Sequence, residues 1–473
     1  MGYDCAFLDD LDLDGSVSTD ASYREGRATD WGTPPDLETL PDAVVWPAST
    51  SDVAAVLAAA NERGVPVTPY AAGSGLEGSA APTHGGISLD MTRMDGIVEV
   101  RPDDLQVDVE PGVIGSDVDE AVGRHGLFFP PLPSSGDIST IGGMIATDAS
   151  GMKTVKYGEV SDWVLRLEAV LADGRVITAG TKAAKSSSGY NLKDLVVGSE
   201  GTLAVVTEAT LKLAGIPEQK RAGRAIFPTI DDATSAISDA ITSGVDVATI
   251  ELLDETTATM ANAYAGLDLP DAPMVFLEFH ADHGIEEEVE FCRTIFEAHD
   301  VSQFEMAATE SEMDRLWQAR KDVAYASREW DDDLEPLHPG DVTVPISKYP
   351  EIIRYARDLA AEYDLTIPCF GHAGDGNFHY VVLVDPDDPD HVAAGEEVYA
   401  RIVDRALELG GTATGEHGIG LGKREFLVAE HGEATVEVMR AIKRALDPRD
   451  TLNPGKMFPE TLEGKRIRGV DDA

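Results

Sequence analysis

Apolar positions along the 473-residue chain recur at two spacings. Val53, Val56, Leu57 and Ala60 follow the polar Thr50-Ser51-Asp52 at helical intervals until Gly64-Val65-Pro66. This predicts a capped helix and then a short strand over 65–69. Val98-Glu99-Val100 and Gln106-Val107-Asp108-Val109 alternate as strands do, and 164–171 reads as a strand whose Ala172-Asp173-Gly174-Arg175 turn leads into a return from Val176. Farther on, helical spacing covers 231–243, 285–299, 349–362 and 392–409, while 274–280 and 378–384 are strand-like. Such a mixture predicts an α+β chain, and its length exceeds what one hydrophobic core serves, so two domains are expected. The boundaries read as a lead-in over 1–45, proline-rich from Asp30, a first domain over 46–213, a second over 214–458 and a tail over 459–473.

Composition changes this picture in one respect. With 86 acidic against 37 basic residues the net charge is -49, spread along the whole chain. That charge repels nucleic acid and anionic lipid, and it suits a protein adapted to salty cytosol, where ions screen self-repulsion. Three cysteines, Cys5, Cys292 and Cys369, assemble neither a disulfide framework nor an iron–sulfur cluster. The acidic first fourteen residues do not read as a signal peptide, and no run approaches eighteen apolar residues. A cytoplasmic protein is expected, with peripheral attachment to the inner membrane face left open.

The glycine-rich stretches carry the candidate chemistry. Gly73-Ser74-Gly75-Leu76-Glu77-Gly78 contains a literal G-x-G-x-x-G, but Pro82, Gly85 and Gly86 follow where a Rossmann unit needs a helix. The loop is therefore expected to offer backbone N–H groups to a pyrophosphate without a Rossmann fold. Small residues through Thr140–Gly151 permit a flat ligand to approach closely, with Thr140, Thr147 and Ser150 supplying hydroxyls. In Gly371-His372-Ala373-Gly374-Asp375-Gly376-Asn377-Phe378-His379, two histidines seven apart cannot lie on one face of a single strand, so Gly374-Asp375-Gly376 must turn the backbone. With Glu416 and His417 in Gly415-Glu416-His417-Gly418-Ile419-Gly420, these residues offer the nitrogen and oxygen ligands a zinc-like ion prefers.

Several long motifs occur together and in order: Gly142-Gly143-Met144, Ala149-Ser150-Gly151, Lys156-Tyr157-Gly158, Gly198-Ser199-Glu200-Gly201-Thr202-Leu203, the two histidine motifs, and Asn453-Pro454-Gly455-Lys456. In these the chain from about Trp46 to Phe458 resembles the FAD-linked D-2-hydroxyacid dehydrogenases, and the run from Ile141 to Leu213 resembles the FAD-binding domain of flavoproteins related to vanillyl-alcohol oxidase and p-cresol methylhydroxylase (PCMH). The resemblance implies a two-part PCMH-type FAD-binding domain followed by an α+β cap domain over the flavin. It implies cofactor contacts from Ala71, Ala72, Gly73, Ser74, Gly75, Leu76, Ser135, Thr140, Gly142, Gly143, Ala146, Ser150, Gly151, Val206 and Asn453. Ser74 stands where some relatives attach FAD through histidine, so the flavin is expected to be non-covalent. Tyr70-Ala71 replaces the usual Arg-Gly, and Leu132 stands where aspartate is common.

The implied reaction moves a hydride from Cα of a 2-hydroxy acid to flavin N5 while the hydroxyl proton leaves. His372, His379 and Glu416 are the expected ligands of a divalent metal, zinc first. His417 is the expected base, Arg320 the clamp for the substrate carboxylate, and Asn377 a contact to substrate or ligand. Pro339-Gly340 occupies the place where 2-hydroxyglutarate enzymes carry a lysine, which ranks D-lactate ahead of glycolate and D-2-hydroxyglutarate. Electrons are expected to pass to a quinone, a cytochrome or an electron-transfer flavoprotein, and a homodimer is left open. The readings from other classes are a catalytically silent flavin-binding subunit and a flavin-free metal hydrolase.

Overall fold

Every run of alternating residues noted above becomes a strand in the computed structural model, which describes residues 2–459 except 35–36, 267, 310–311, 313–316, 319 and 322. The chain divides into two compact units. One comprises the chain up to Ser150, Glu159–Ile216 and the chain from Glu416 on; the other comprises Gly151–Gly158 and Pro217–Gly415.

Among the described residues the first unit holds a four-stranded sheet, a five-stranded sheet and a two-stranded pairing of Leu127–Phe128 with Ala214–Gly215. In the four-stranded sheet, Ser16–Ser18, Ala43–Trp46, Ile87–Asp90 and Val67–Tyr70 lie side by side in that order, antiparallel for the first pair and parallel afterwards. The helix Thr50–Arg63 lays Val53, Val56, Leu57 and Ala60 into this core. Ser49 rather than Thr50 is its cap, accepting from the Asp52 amide at 3.2 Å, and Gly64 ends it at φ +66°. The buried Asp52 carboxylate accepts from the amides of Asp14, Gly15 and Ala48 at 2.8–3.1 Å. Residues 14–18 are thus tied to this unit, because a buried carboxylate needs those donors. The five-stranded antiparallel sheet runs Ile97–Arg101, Gln106–Val109, Val205–Lys212, Val164–Val170, Val176–Gly180. The returning C-terminal segment is fastened by Lys443, whose buried Nζ donates to Thr202 O, Leu452 O and the Asp447 carboxylate.

The second unit is built on one seven-stranded antiparallel sheet in the order Gln303–Met306, Gln219–Ile226, Met274–Ala281, Thr249–Leu253, Cys369–His372, Asn377–Val384, Glu335–Thr343. The amphipathic helices Ile230–Thr242, Ile285–Glu297, Tyr349–Tyr363 and Pro389–Glu408 cover it. Residues 151–158 belong here: the Tyr157 hydroxyl lies 2.8 Å from His280 Nδ1, and Lys156 pairs with Asp246.

Candidate functional site

In the second unit the histidine motif folds as a hairpin. Gly376 makes the turn at φ +84°, where a side chain would strike the Val344 carbonyl. The turn puts His372 on one strand and His379 on the next, and the pairing of Phe370 with His379 then brings both imidazoles to the same face. Their centroids are 5.0 Å apart with ring planes at 89°. Sequence alternation alone would have separated them; the hairpin reunites them.

Each imidazole has a buried carboxylate as its cross-strand neighbour. Glu251 pairs in register with His372, and its Oε1 lies 2.7 Å from His372 Nδ1. Asp341 pairs in register with His379, at 3.7 Å from Nδ1. Both acids are fully buried. Glu251 Oε2 also accepts from Arg320 Nε at 2.7 Å, and the Arg320 guanidinium lies over the Phe370 ring at 5.0 Å. Asn377 Nδ2 donates to Asp341 Oδ1 at 2.7 Å and reaches Val342 O and Thr343 Oγ1 at 3.2 Å. Its buried Oδ1 has no hydrogen bond among the described residues. The buried Tyr349 hydroxyl is pushed well above the usual phenol range by burial and by Glu251.

The sequence pointed to His372, His379, Arg320 and Asn377, and the structure places all four around this face of one sheet. It did not point to Glu251 or Asp341. Their signal was a charged residue inside the apolar runs Thr249–Leu253 and Asp341–Val344.

Glu416 and His417 lie in the first unit, on a loop held by two buried acids. Glu200 accepts from the Ile419 amide at 2.7 Å, the Gly420 amide at 2.8 Å and Ser79 Oγ at 2.6 Å. Glu77 accepts the Leu421 amide on its carbonyl at 2.6 Å, and its carboxylate lies 3.8 Å from His417 Nδ1 and 3.3 Å from Lys423 Nζ. Ser150 Oγ donates to Glu416 Oε2 at 3.2 Å. Nearby Glu159 is pushed up to about 7 by burial and by the carboxylates of Asp148, Asp162 and Glu416.

The same unit carries the glycine-rich loop, which opens no helix, as its sequence demands. The carbonyls of Gly73 and Gly75 accept from the Trp31 and Gly32 amides, whereas among the described residues no amide from Ala72 to Leu76 donates to a protein acceptor. A run of undirected N–H groups fits a pyrophosphate. The left-handed conformation falls on Gly73 at φ +67°, where a side chain would overlap the Tyr70 hydroxyl. Ala71 is not among the described residues with positive φ, so alanine there carries no backbone strain. Ser74, Ser139 and Ser135 form a hydroxyl chain with spacings of 3.0 and 2.8 Å; Ser139 was not foreseen. Thr140 Oγ1 accepts from the Gly143 amide as a helix cap, Gly142 lies against Pro111, and Gly143 and Ala146 remain accessible. Val206 sits at a strand irregularity beside Ala169. Asn453 Nδ2 donates to Ser79 O and Glu200 O at 2.9 and 2.7 Å; in the second unit the Gly151 amide donates to Thr154 Oγ1 at 2.9 Å.

Comparison with known proteins finds two domain families in succession along the chain. Residues 41–180 match the FAD binding domain family, and residues 216–457 match the family of FAD linked oxidases, C-terminal domain. The chain is 38% identical over 464 residues to glycolate oxidase subunit GlcD of Bacillus subtilis, covering 97% of both chains. It is 35% identical over 451 residues to the mitochondrial D-lactate dehydrogenase (cytochrome) of Arabidopsis thaliana, covering 94% of this chain and 78% of that one. The fold matches the crystal structure of p-cresol methylhydroxylase with substrate bound at a TM-score of 0.75, with 15% identity and 93% of each chain covered. A chain that pairs these two domains over nearly its whole length belongs to the FAD-linked oxidases, and its cofactor is FAD.

Proposed function

We propose that this enzyme oxidises a D-2-hydroxy acid, D-lactate first, to the 2-keto acid. The observation that carries the reading is the face bearing His372 and His379, each imidazole set against a buried carboxylate, beside the buried guanidinium of Arg320. A carboxylate behind each Nδ1 is the arrangement that orients a metal-binding imidazole. When bound, FAD supplies the hydride acceptor, and a divalent ion, zinc first, supplies a Lewis acid for the substrate hydroxyl.

Glu416 is assigned as the third ligand on its motif. Arg320, engaged at Nε by Glu251, offers its terminal nitrogens to the substrate carboxylate. His417 takes the hydroxyl proton as the hydride leaves Cα, and the Glu77 carboxylate near Nδ1 stabilises the imidazolium that results. Lys423 holds Glu77 in place. Asn377, whose Nδ2 is engaged by Asp341, is assigned to a contact with substrate or with a metal ligand. The amides of Ala72–Leu76, the hydroxyls of Ser74 and Ser135, the accessible backbone around Gly143 and Ala146, and Val206 are assigned to non-covalent FAD. Thr140, Gly142, Ser150, Gly151 and Asn453 shape the segments that present them.

A Cβ on Gly340 would lie 2.5 Å from the Tyr380 ring, so no cation for a second substrate carboxylate can be mounted there. The strong likeness to a glycolate oxidase subunit makes glycolate the second reading. A quinone, cytochrome or electron-transfer flavoprotein is the proposed acceptor, and the relative from Arabidopsis thaliana is a cytochrome-linked dehydrogenase by name. Anaerobic addition of D-lactate, L-lactate, glycolate and D-2-hydroxyglutarate to separate samples tests the assignment. D-lactate should bleach the flavin fastest; a flavin that none of the four reduces refutes it.

A further inference from the structure

We propose that Glu251 is a positioning residue that holds the substrate clamp and a metal ligand in one frame, an inference that rests on the function proposed above. The Glu251 side chain is completely buried in the strand Thr249–Leu253, all five residues of which are buried. A carboxylate so placed is tolerated only if paired and hydrogen-bonded. Here one oxygen takes Arg320 Nε and the other faces His372 Nδ1, each at 2.7 Å. The second contact orients the Nδ1 proton towards Glu251 and leaves Nε2 as the ligand atom, which is how an outer carboxylate fixes a metal-bound imidazole. The first contact sets where the guanidinium stands. Because one rigid group makes both, the distance from the carboxylate clamp to the metal ligand is set by Glu251 and by the register that pairs it with His372. Arg320, which ligates nothing, is thereby coupled to metal retention.

The coupling separates this role from a merely structural one. In Glu251→Gln the amide can accept from only one of the two donors and turns an NH2 group on the other. Zinc should then be stripped by about ten- to hundredfold less EDTA than from the parent, and KM for D-lactate should rise at least as much as kcat falls. The ratio of flavin to protein should stay that of the parent, since the FAD loop lies in the other unit. Arg320→Lys loses the Nε contact and should also release zinc more readily. It provides the decision if Glu251→Gln does not fold. Parent-like zinc retention in Arg320→Lys, or in a folded Glu251→Gln, overturns the proposal while leaving the oxidase reading intact. A parent protein that binds no zinc and is reduced by none of the four acids overturns both.

Discussion

The loop carrying Glu416 and His417 depends on Glu200, and replacing it by glutamine gives the sharpest test of how the first unit is organised. Three donors converge on this buried carboxylate: the Ile419 and Gly420 amides at 2.7 and 2.8 Å and Ser79 Oγ at 2.6 Å. In Glu200→Gln one oxygen becomes an NH2 group facing a buried N–H. The variant loses a charge-assisted bond of about 1.5–3 kcal/mol and strands a donor at about 1–3 kcal/mol. Against this, Glu200 has its carboxyl pushed up by burial, so a neutral amide removes part of a desolvation cost. The difference is on the order of 2 kcal/mol of destabilisation, which lowers the melting temperature by about 4–8 °C for a unit of this size. The effect on reaction should be larger, because the clamped amides lie three and four residues beyond Glu416 and any slack is passed to it and to His417. Misplacing a reacting group by a fraction of its length costs about tenfold or more. Flavin fluorescence during heating measures the first effect, and anaerobic flavin reduction by D-lactate measures the second. A variant that melts and is reduced like the parent would refute the clamp.

Three further outcomes follow from particular groups. His379→Ala should lose its divalent ion and flavin reduction while keeping its yellow colour; unchanged metal content in elemental analysis rules out the ligand set. Asp254, buried at the cap of the helix Glu255–Ala265, has its carboxyl pushed up to about 6 by burial, with the Thr257 hydrogen bonds pulling the other way. The folded state therefore holds this proton more tightly than the unfolded chain, so the group's contribution is full below about pH 4 and is lost as pH rises through 6, a span of about 3 kcal/mol. Asp254→Asn keeps the cap and removes the titration. Its melting temperature should gain on the parent's between pH 4 and 7, and parallel curves would show that Asp254 does not titrate in this way. The net charge of -49 predicts a melting temperature that climbs with added salt, and a flat response would remove the reading of adaptation to salty cytosol.

What was legible in the sequence was local. The helix Thr50–Arg63, the hairpin of Val164–Val170 with Val176–Gly180 and the turn at Gly374–Gly376 each follow from residues within one or two turns of one another. The glycine loop was recognised as non-Rossmann for the same reason, since Pro82 lies within reach of the pattern it contradicts. What escaped depends on long-range pairing. Glu251 and His372 are 121 residues apart, and Asn453 finds its partner Glu200 across 253. Small residues misled in another way: the space beside Gly142 is filled by Pro111, so its smallness serves packing, while the accessible backbone is at Gly143.

The buried acids show why charge was the harder signal. Alternation reads a carboxylate in a strand as the solvent side, yet Glu251 and Asp341 stand on the same sheet face as the two imidazoles and are completely covered. Burying either acid alone would be strongly unfavourable, so each marks a place where a cation or a hydrogen-bond donor must be waiting. For Glu251 those are Arg320 and His372; for Asp341 they are Asn377, Thr414 Oγ1 and the Gly415 amide, with His379 close by. The acids thus account for the geometry of the histidines rather than accompany it. A single acid in an otherwise apolar run, read as a demand for partners, would have directed attention to both positions before any fold was known.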